Sequence, residues 1–156
     1  MLQCGTTLPD EARPMKLWCS GCIAITLLLL MSGCSDELKP TLALDASAEA
    51  VPDLTGDYLV AGIDPFGTEY GGQLTIRAAE IPGSYSLQWI ITGSIQEGTG
   101  VIQGNQFLVN WNSIEEFGGG VTGTTTYTVT VQGELYGIRI IDGHVGEGTE
   151  YAFPSE

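Results

Sequence analysis

The chain changes its hydrophobic pattern twice. Leu17 to Met31 is an almost unbroken apolar run that includes Leu27-Leu28-Leu29-Leu30. Residues 35–52, SDELKPTLALDASAEAVP, show neither strand alternation nor a wide apolar helical face. From Asp53 onward apolar and polar positions alternate with period two, the signature of half-buried strands. Ser84 to Thr92 puts Tyr85, Leu87, Trp89 and Ile91 on one face. Gln106 to Asn112 groups Phe107, Val109 and Trp111 against Asn110 and Asn112. Gly72 to Ala78 sets Leu74 and Ile76 against Gln73, Thr75 and Arg77. Thr124 to Val131 alternates four threonines against Thr125, Tyr127, Val129 and Val131. Glu134 to Ile141 is apolar on both faces, so its inward side stays open. Turn signals separate these runs: Asp64-Pro65-Phe66-Gly67, Pro82-Gly83, Gly104-Asn105, Gln132-Gly133 and Asp142-Gly143.

Counted from Asp53, the spacing predicts about eight short strands with no helical pattern between them, which excludes βαβ units. The expected fold class is all-β, a small up-and-down antiparallel β-barrel preceded by a signal peptide and a flexible tether. An open sandwich is the alternative. Hairpin-like spacing favours the barrel, which also removes exposed sheet edges. An eight-stranded barrel is just wide enough inside for side chains or one small ligand.

The apolar run has the length of a signal-peptide core and falls short of the roughly 20 residues of a membrane span. Lys16 supplies the preceding positive charge, and Ser32, Gly33 and Cys34 follow. The run Leu30-Met31-Ser32-Gly33-Cys34 resembles a bacterial lipobox. That resemblance implies a diacylglycerol on Cys34, cleavage before it, and acylation (palmitate-type) of the new N-terminus. Residues 1–33 are then signal peptide, 34–52 the lipidated cysteine and tether, and 53–156 the barrel domain. A start at Met15 gives a 19-residue signal without Asp10 and Glu11 ahead of the apolar run. Multiple acyl chains anchor a protein stably, so the lipid membrane is the expected partner of Cys34. Ser35, in place of Asp, implies outer-membrane sorting, facing periplasm or cell surface, rather than inner-membrane retention. As a coil the tether spans about 23 Å on average. Cys4, Cys19, Cys22 and Cys34 are the only cysteines, so the mature chain keeps one and no disulfide. Cys19-Ser20-Gly21-Cys22 lies inside the apolar run, without the partners a redox or zinc site needs.

Charge narrows the partners. Nineteen acidic residues face five basic ones, a formal net charge of −14. Beyond Pro52 there are 13 acidic residues against Arg77 and Arg139, a net of −11. Such a surface repels phosphate backbones, so no nucleic-acid partner is expected. Nineteen of the 22 glycines also lie beyond Pro52, as turn-rich β structure requires.

Candidate chemistry is sparse. Nucleophilic catalysis needs a base beside Ser, Cys or Thr, and the one histidine, His144, falls in an expected turn. There is no G-x-S-x-G elbow and no His/Cys metal set. Glu115-Glu116 and the trio Asp142, Glu147 and Glu150 are the carboxylate candidates for a glycosidase pair. The D-x-D-x-D-G spacing of a calcium loop does not occur. The expectation is therefore no enzyme, no catalytic residue, no metal and no cofactor. Tyr85, Trp89 and Trp111 are the aromatics that either line a ligand cavity or fill the core, the core being the commoner use at strand spacing.

One order of motifs spans the domain: Gly56-x-Tyr58, Tyr70-Gly-Gly-x-Leu74-x-Ile76, Tyr85-x-Leu87-x-Trp89, Gly98-x-Gly100, Leu108-Val-x-Trp111, Tyr127-x-Val129, Gly133-x-Leu135-x-Gly137 and Gly146-x-Gly148-x-Glu150. Over nearly all of residues 54–154 it resembles a family of small exported bacterial β-barrel proteins, often described as fibronectin-binding or left uncharacterised. Leu54-Thr-Gly-Asp-Tyr58 and the strand rhythm are also similar to avidin-like and lipocalin-like barrels. The resemblance implies a non-enzymatic binding or scaffold module in the cell envelope, with fibronectin binding as one version. Two alternatives stand beside it. One is an inhibitor of a basic enzyme such as lysozyme, because acidity steers a cationic partner. The other is a carrier of a small hydrophobic ligand, which requires an open cavity.

Overall fold

The computed structural model describes residues 41–115 and 120–155. Eight strands follow one another: β1 (Gly56–Ile63), β2 (Glu69–Ala78), β3 (Ser84–Ile91), β4 (Ser94–Gln103), β5 (Gln106–Glu115), β6 (Thr122–Val129), β7 (Leu135–Ile141) and β8 (Gly148–Pro154). Each pairs antiparallel with the next, and β8 returns to β1 from Tyr58↔Pro154 to Ile63↔Thr149. The domain is a closed all-β up-and-down barrel, and closure leaves no unpaired edge. Among the described residues no helix is long and apolar enough to cross a membrane. The segment Leu17 to Met31, Cys34 and the lipobox lie outside the described residues.

Period-two alternation decides which side chains fill the interior. β3 buries Tyr85, Leu87 and Trp89, and β5 buries Phe107, Val109 and Trp111. Their polar alternates face solvent. β4 has only Ile102, near its end, as such an apolar residue, because the inward positions ahead of it include Gln96, Gly98 and Gly100. Their neighbours explain this. A Cβ on Gly100 would lie 2.4 Å from Phe107 Cε2, and one on Gly98 would lie 3.1 Å from Trp89 Cζ3. The strand contributes recesses, and large rings from β3 and β5 occupy them. Gly123 of β6 does the same for Trp111, whose Cζ2 stands 2.4 Å from where a Cβ would be. In register, Trp111 is flanked by Gly98 on one side and Gly123 on the other.

Two strands depart from the simple pattern. β7 turns Leu135, Gly137, Arg139 and Ile141 inward, leaving Ile138 and Ile140 partly exposed outside. β6 ends at Val129, and the turn that follows points Val131 to solvent at 55% exposure. The alternation had placed Val131 on the inner face. The turn bonds Thr130 N to Glu134 O and Gly133 N to Thr130 O, which breaks the period. Between β4 and β5 the register slips from Ile95↔Glu115 to Gln96↔Ser113, so Ile114 is an extra residue on β5. Bulges of this kind re-aim neighbouring side chains. Here Gln96 and Ser113 both turn inward.

The two ends of the barrel differ. Residues 43–54 lie across the end that carries the β6–β7 turn. Ala46 N donates to Val129 O, Val131 N to Leu44 O, and Ala43 N to the Glu134 carboxylate. Ala46 and Leu54 are buried, and the Tyr58 hydroxyl donates to Leu54 O at 2.9 Å. The stretch expected as tether thus supplies a cap over its later residues. The other end carries the loops after β1, β3, β5 and β7.

Candidate functional site

Along the barrel axis the interior passes from apolar to polar. On the cap side, Tyr85 packs edge-on against Phe107 at 5.5 Å, and Phe107 stacks with Tyr127 at 6.2 Å. Nearer the opposite end, six strands bring a set of polar groups together. Glu150 of β8, 0% exposed, is its centre. Its Oε2 accepts from Arg139 Nη1 at 2.9 Å and from the Tyr70 hydroxyl at 2.6 Å. Its Oε1 accepts from Trp89 Nε1 at 3.1 Å and from the Tyr127 hydroxyl. A carboxylate has about four lone-pair sites, so four donors saturate it. Arg139 Nη2 donates in turn to Gln96 Oε1, and Gln96 Nε2 donates to Ser94 Oγ.

The arginine is stacked as well as paired. Its guanidinium carbon lies 4.0 Å from the centre of the Trp111 ring and 5.5 Å from that of Trp89. A desolvated cation over an indole face gains about 2 kcal/mol. A buried pair needs such help, since removing two charges from water costs several kcal/mol per ion. The surroundings also act on the phenols. Burial, then the adjacent Glu150 charge, hold the Tyr70 and Tyr127 hydroxyls well above the usual tyrosine range, with Arg139 opposing. Burial pushes Tyr58 up to about 12.

Above this polar layer lies a cavity of about 330 Å³ that reaches the loop end of the barrel. Arg139, Gln96, Tyr70 and Trp111 form its floor, and Ile91, Val121 and Ile141 its walls. Phe66 and His144 meet edge to face at its rim, 5.3 Å apart. Small-molecule sites run upward from roughly 300 Å³ with mostly apolar walls and a few placed polar groups, which this cavity matches. Two buried polar atoms have no hydrogen-bond partner among the described residues: Trp111 Nε1 and Thr125 Oγ1.

The three aromatic candidates part company here. Tyr85 belongs to the apolar side, Trp89 is fully buried beneath the cavity and tied to Glu150, and Trp111 lines the cavity. The interior is therefore filled from the cap to the Glu150 layer and has room above it. The carboxylate trio is not gathered: Glu150 points inward, while Asp142 and Glu147 are exposed in the β7–β8 loop. Glu116 and the side chain of Glu115 lie outside what the structure describes. His144 is exposed, its Nδ1 3.2 Å from Asp142 O. Among the described residues no group of three or more His, Cys, Asp or Glu is placed to hold a metal ion.

The sequence pattern missed Arg139, Gln96, Tyr70 and Tyr127 as members of one site, and placed Glu150 only in a candidate carboxylate pair and in the closing Gly146-x-Gly148-x-Glu150 motif. The available signal was charge. Arg139 is one of two cations in the domain and sits in a strand apolar on either side.

No protein-family model matches the chain. No curated protein sequence matches it. Solved structures do. A redesigned β-barrel, mFAP1, bound to DFHBI superposes with a TM-score of 0.54 at 13% identity, over 70% of this chain and 98% of that one. A second redesigned β-barrel gives 0.57 at 14% identity, over 74% and 100%. A de novo designed fluorescence-activating β-barrel gives 0.51 at 12% identity, over 69% and 96%. At these identities the likeness shows the fold alone.

Proposed function

We propose that the protein is a non-enzymatic binding barrel that takes a small molecule at its loop end and is held at the bacterial cell envelope by acylated Cys34. The observation that carries the reading is the 330 Å³ cavity over a polar floor whose carboxylate is fully engaged. A Glu150 saturated by four donors orients and neutralises Arg139, which suits a fixed recognition surface better than a proton-transfer role. The designed barrels that share the fold include one solved with a small molecule bound. The anchor rests on the lipobox resemblance at Leu30 to Cys34.

Two protein-partner readings rank below this one. Fibronectin binding rests on the family resemblance. Inhibition of a cationic enzyme such as lysozyme rests on the domain charge of −11. Neither uses the cavity.

Native mass spectrometry of the protein released from its own membranes tests the proposal. The expected result is a small-molecule adduct that is lost in Ile141→Trp, whose indole fills the cavity. The proposal is overturned if the protein carries no adduct and a diverse fragment set leaves the resonances of Tyr70, Ile91 and Arg139 unmoved.

A further inference from the structure

We propose that the ligand of this cavity is an uncharged molecule with an apolar body that presents a carbonyl oxygen, or an equivalent neutral acceptor, to the Arg139–Trp111 floor; this rests on the small-molecule reading above. The first argument is the balance of donors and acceptors. A guanidinium has five N–H donors. Arg139 spends two, on Glu150 Oε2 and Gln96 Oε1, and no further partner is found among the described residues. Trp111 Nε1 is a buried donor with none. The acceptors are largely spent. Glu150 is saturated, and the Gln96 amide oxygen already serves Arg139. The floor offers N–H groups in excess, so an entering acceptor gains what an entering donor does not. A buried unpaired N–H is also costly in itself, so an acceptor that reaches Trp111 Nε1 removes that cost.

The second argument is charge. Arg139 is already balanced by Glu150 at 2.9 Å, so the floor carries no net positive charge to offset an anion. Asp64 and Glu69 line the cavity entrance, and the whole domain stands at −11. A carboxylate bound there is a buried charge without a counterion, which proteins avoid. An ammonium is drawn to the acidic entrance but meets mostly N–H donors at the floor, where the Tyr70 hydroxyl oxygen is the main acceptor left. The neutral acceptor is what remains, and Ile91, Val121 and Ile141 call for an apolar body behind it.

Four probes on one frame separate the possibilities: indanone, indane, indane carboxylate and aminoindane. The protein is the chain from residue 34 onward with Cys34→Ser; the eight ladders, the closure and the cap all lie within residues 43–155. Titrations are followed by NMR at the Trp111 Nε1–H and Arg139 Nε–H resonances, assigned with Trp111→Phe and Arg139→Lys. Indanone is expected to bind saturably, to move both resonances, and to bind at least about tenfold more tightly than the other three, a difference of about 1.4 kcal/mol. Equal binding of indane overturns the acceptor requirement. Equal or tighter binding of the carboxylate or the amine overturns the requirement for neutrality. Either result leaves the small-molecule site standing. Failure of all four to move any cavity resonance overturns this proposal and counts against the site itself.

Discussion

Arg139 Nη1 lies 2.9 Å from Glu150 Oε2 inside the barrel, with the two side chains 4% and 0% exposed. Breaking a buried pair leaves a charge without its counterion and costs about 3–5 kcal/mol. Glu150→Gln and Arg139→Met are each expected to lose stability in that range. The double variant is expected to recover a large part of the loss. Urea unfolding of the four chains gives the coupling directly. Additive losses would show that the pair does not act as a unit.

Trp111 and Gly123 set a second expectation. A Cβ at Gly123 would stand 2.1 Å from Ile140 O and 2.4 Å from Trp111 Cζ2. Backbone cannot give way as a flexible side chain does, so Gly123→Ala should cost about 1–3 kcal/mol or more by overpacking and alter the tryptophan fluorescence. Gly143→Ala is the contrast. It meets nothing within 4 Å, but its φ of +79° penalises a side chain, so a loss of about 1 kcal/mol and unchanged fluorescence are expected.

The raised tyrosines predict alkaline unfolding. Tyr70 and Tyr127 stay protonated in the barrel beyond the ordinary tyrosine value of 10.0, and Tyr58 does so up to about 12. Above pH 10 the unfolded chain releases protons that the folded chain keeps, so stability falls as pH rises. Below about pH 9 these groups contribute no slope. Each adds up to about 1.4 kcal/mol per pH unit above 10. The urea midpoint between pH 8 and 11 should therefore be flat and then drop. Tyrosinate absorbance should rise together with unfolding for these residues, not before it.

The cap should carry measurable stability. Leu54 is fully buried while Leu59, five residues on, is 62% exposed. Leu54→Ala is expected to cost about 2–5 kcal/mol and Leu59→Ala under about 0.5 kcal/mol. Thermal unfolding of the two variants makes the comparison. Similar losses would mean that residues 43–54 do not contribute to the core.

The proposed anchor at Cys34 has its own check. Metabolic labelling with radioactive palmitate should mark the mature protein, and Cys34→Ala should abolish the label and release the protein from the membrane fraction. Retained label in that variant would place the modification elsewhere.

The barrel was legible wherever large apolar residues alternate with polar ones, as in β3 and β5. It was illegible in β4, where Ile102 packs on the core but the inward positions ahead of it include Gln96, Gly98 and Gly100. Their role is to make room for rings on other strands, and room has no local pattern. The polar layer was hidden for a different reason. In β7 the inward residue is Arg139 and its outward neighbours are Ile138 and Ile140, the inverse of the rule that apolar faces turn in. Arg139 is stable there only because Glu150, Gln96 and Trp111 meet it from three other strands. Those encounters are properties of barrel closure and register. The lone exposed His144 needed no such knowledge and sits at its turn as the spacing suggests.

The segment 43–54 laid across one end has a consequence for traffic. With that end stoppered by Ala46 and Leu54, the barrel is a cup and not a conduit. Whatever enters between the loops must leave by the same doorway. Delivery to another protein would then require the recipient to meet the rim around Phe66 and His144, so loading and unloading would compete for one surface.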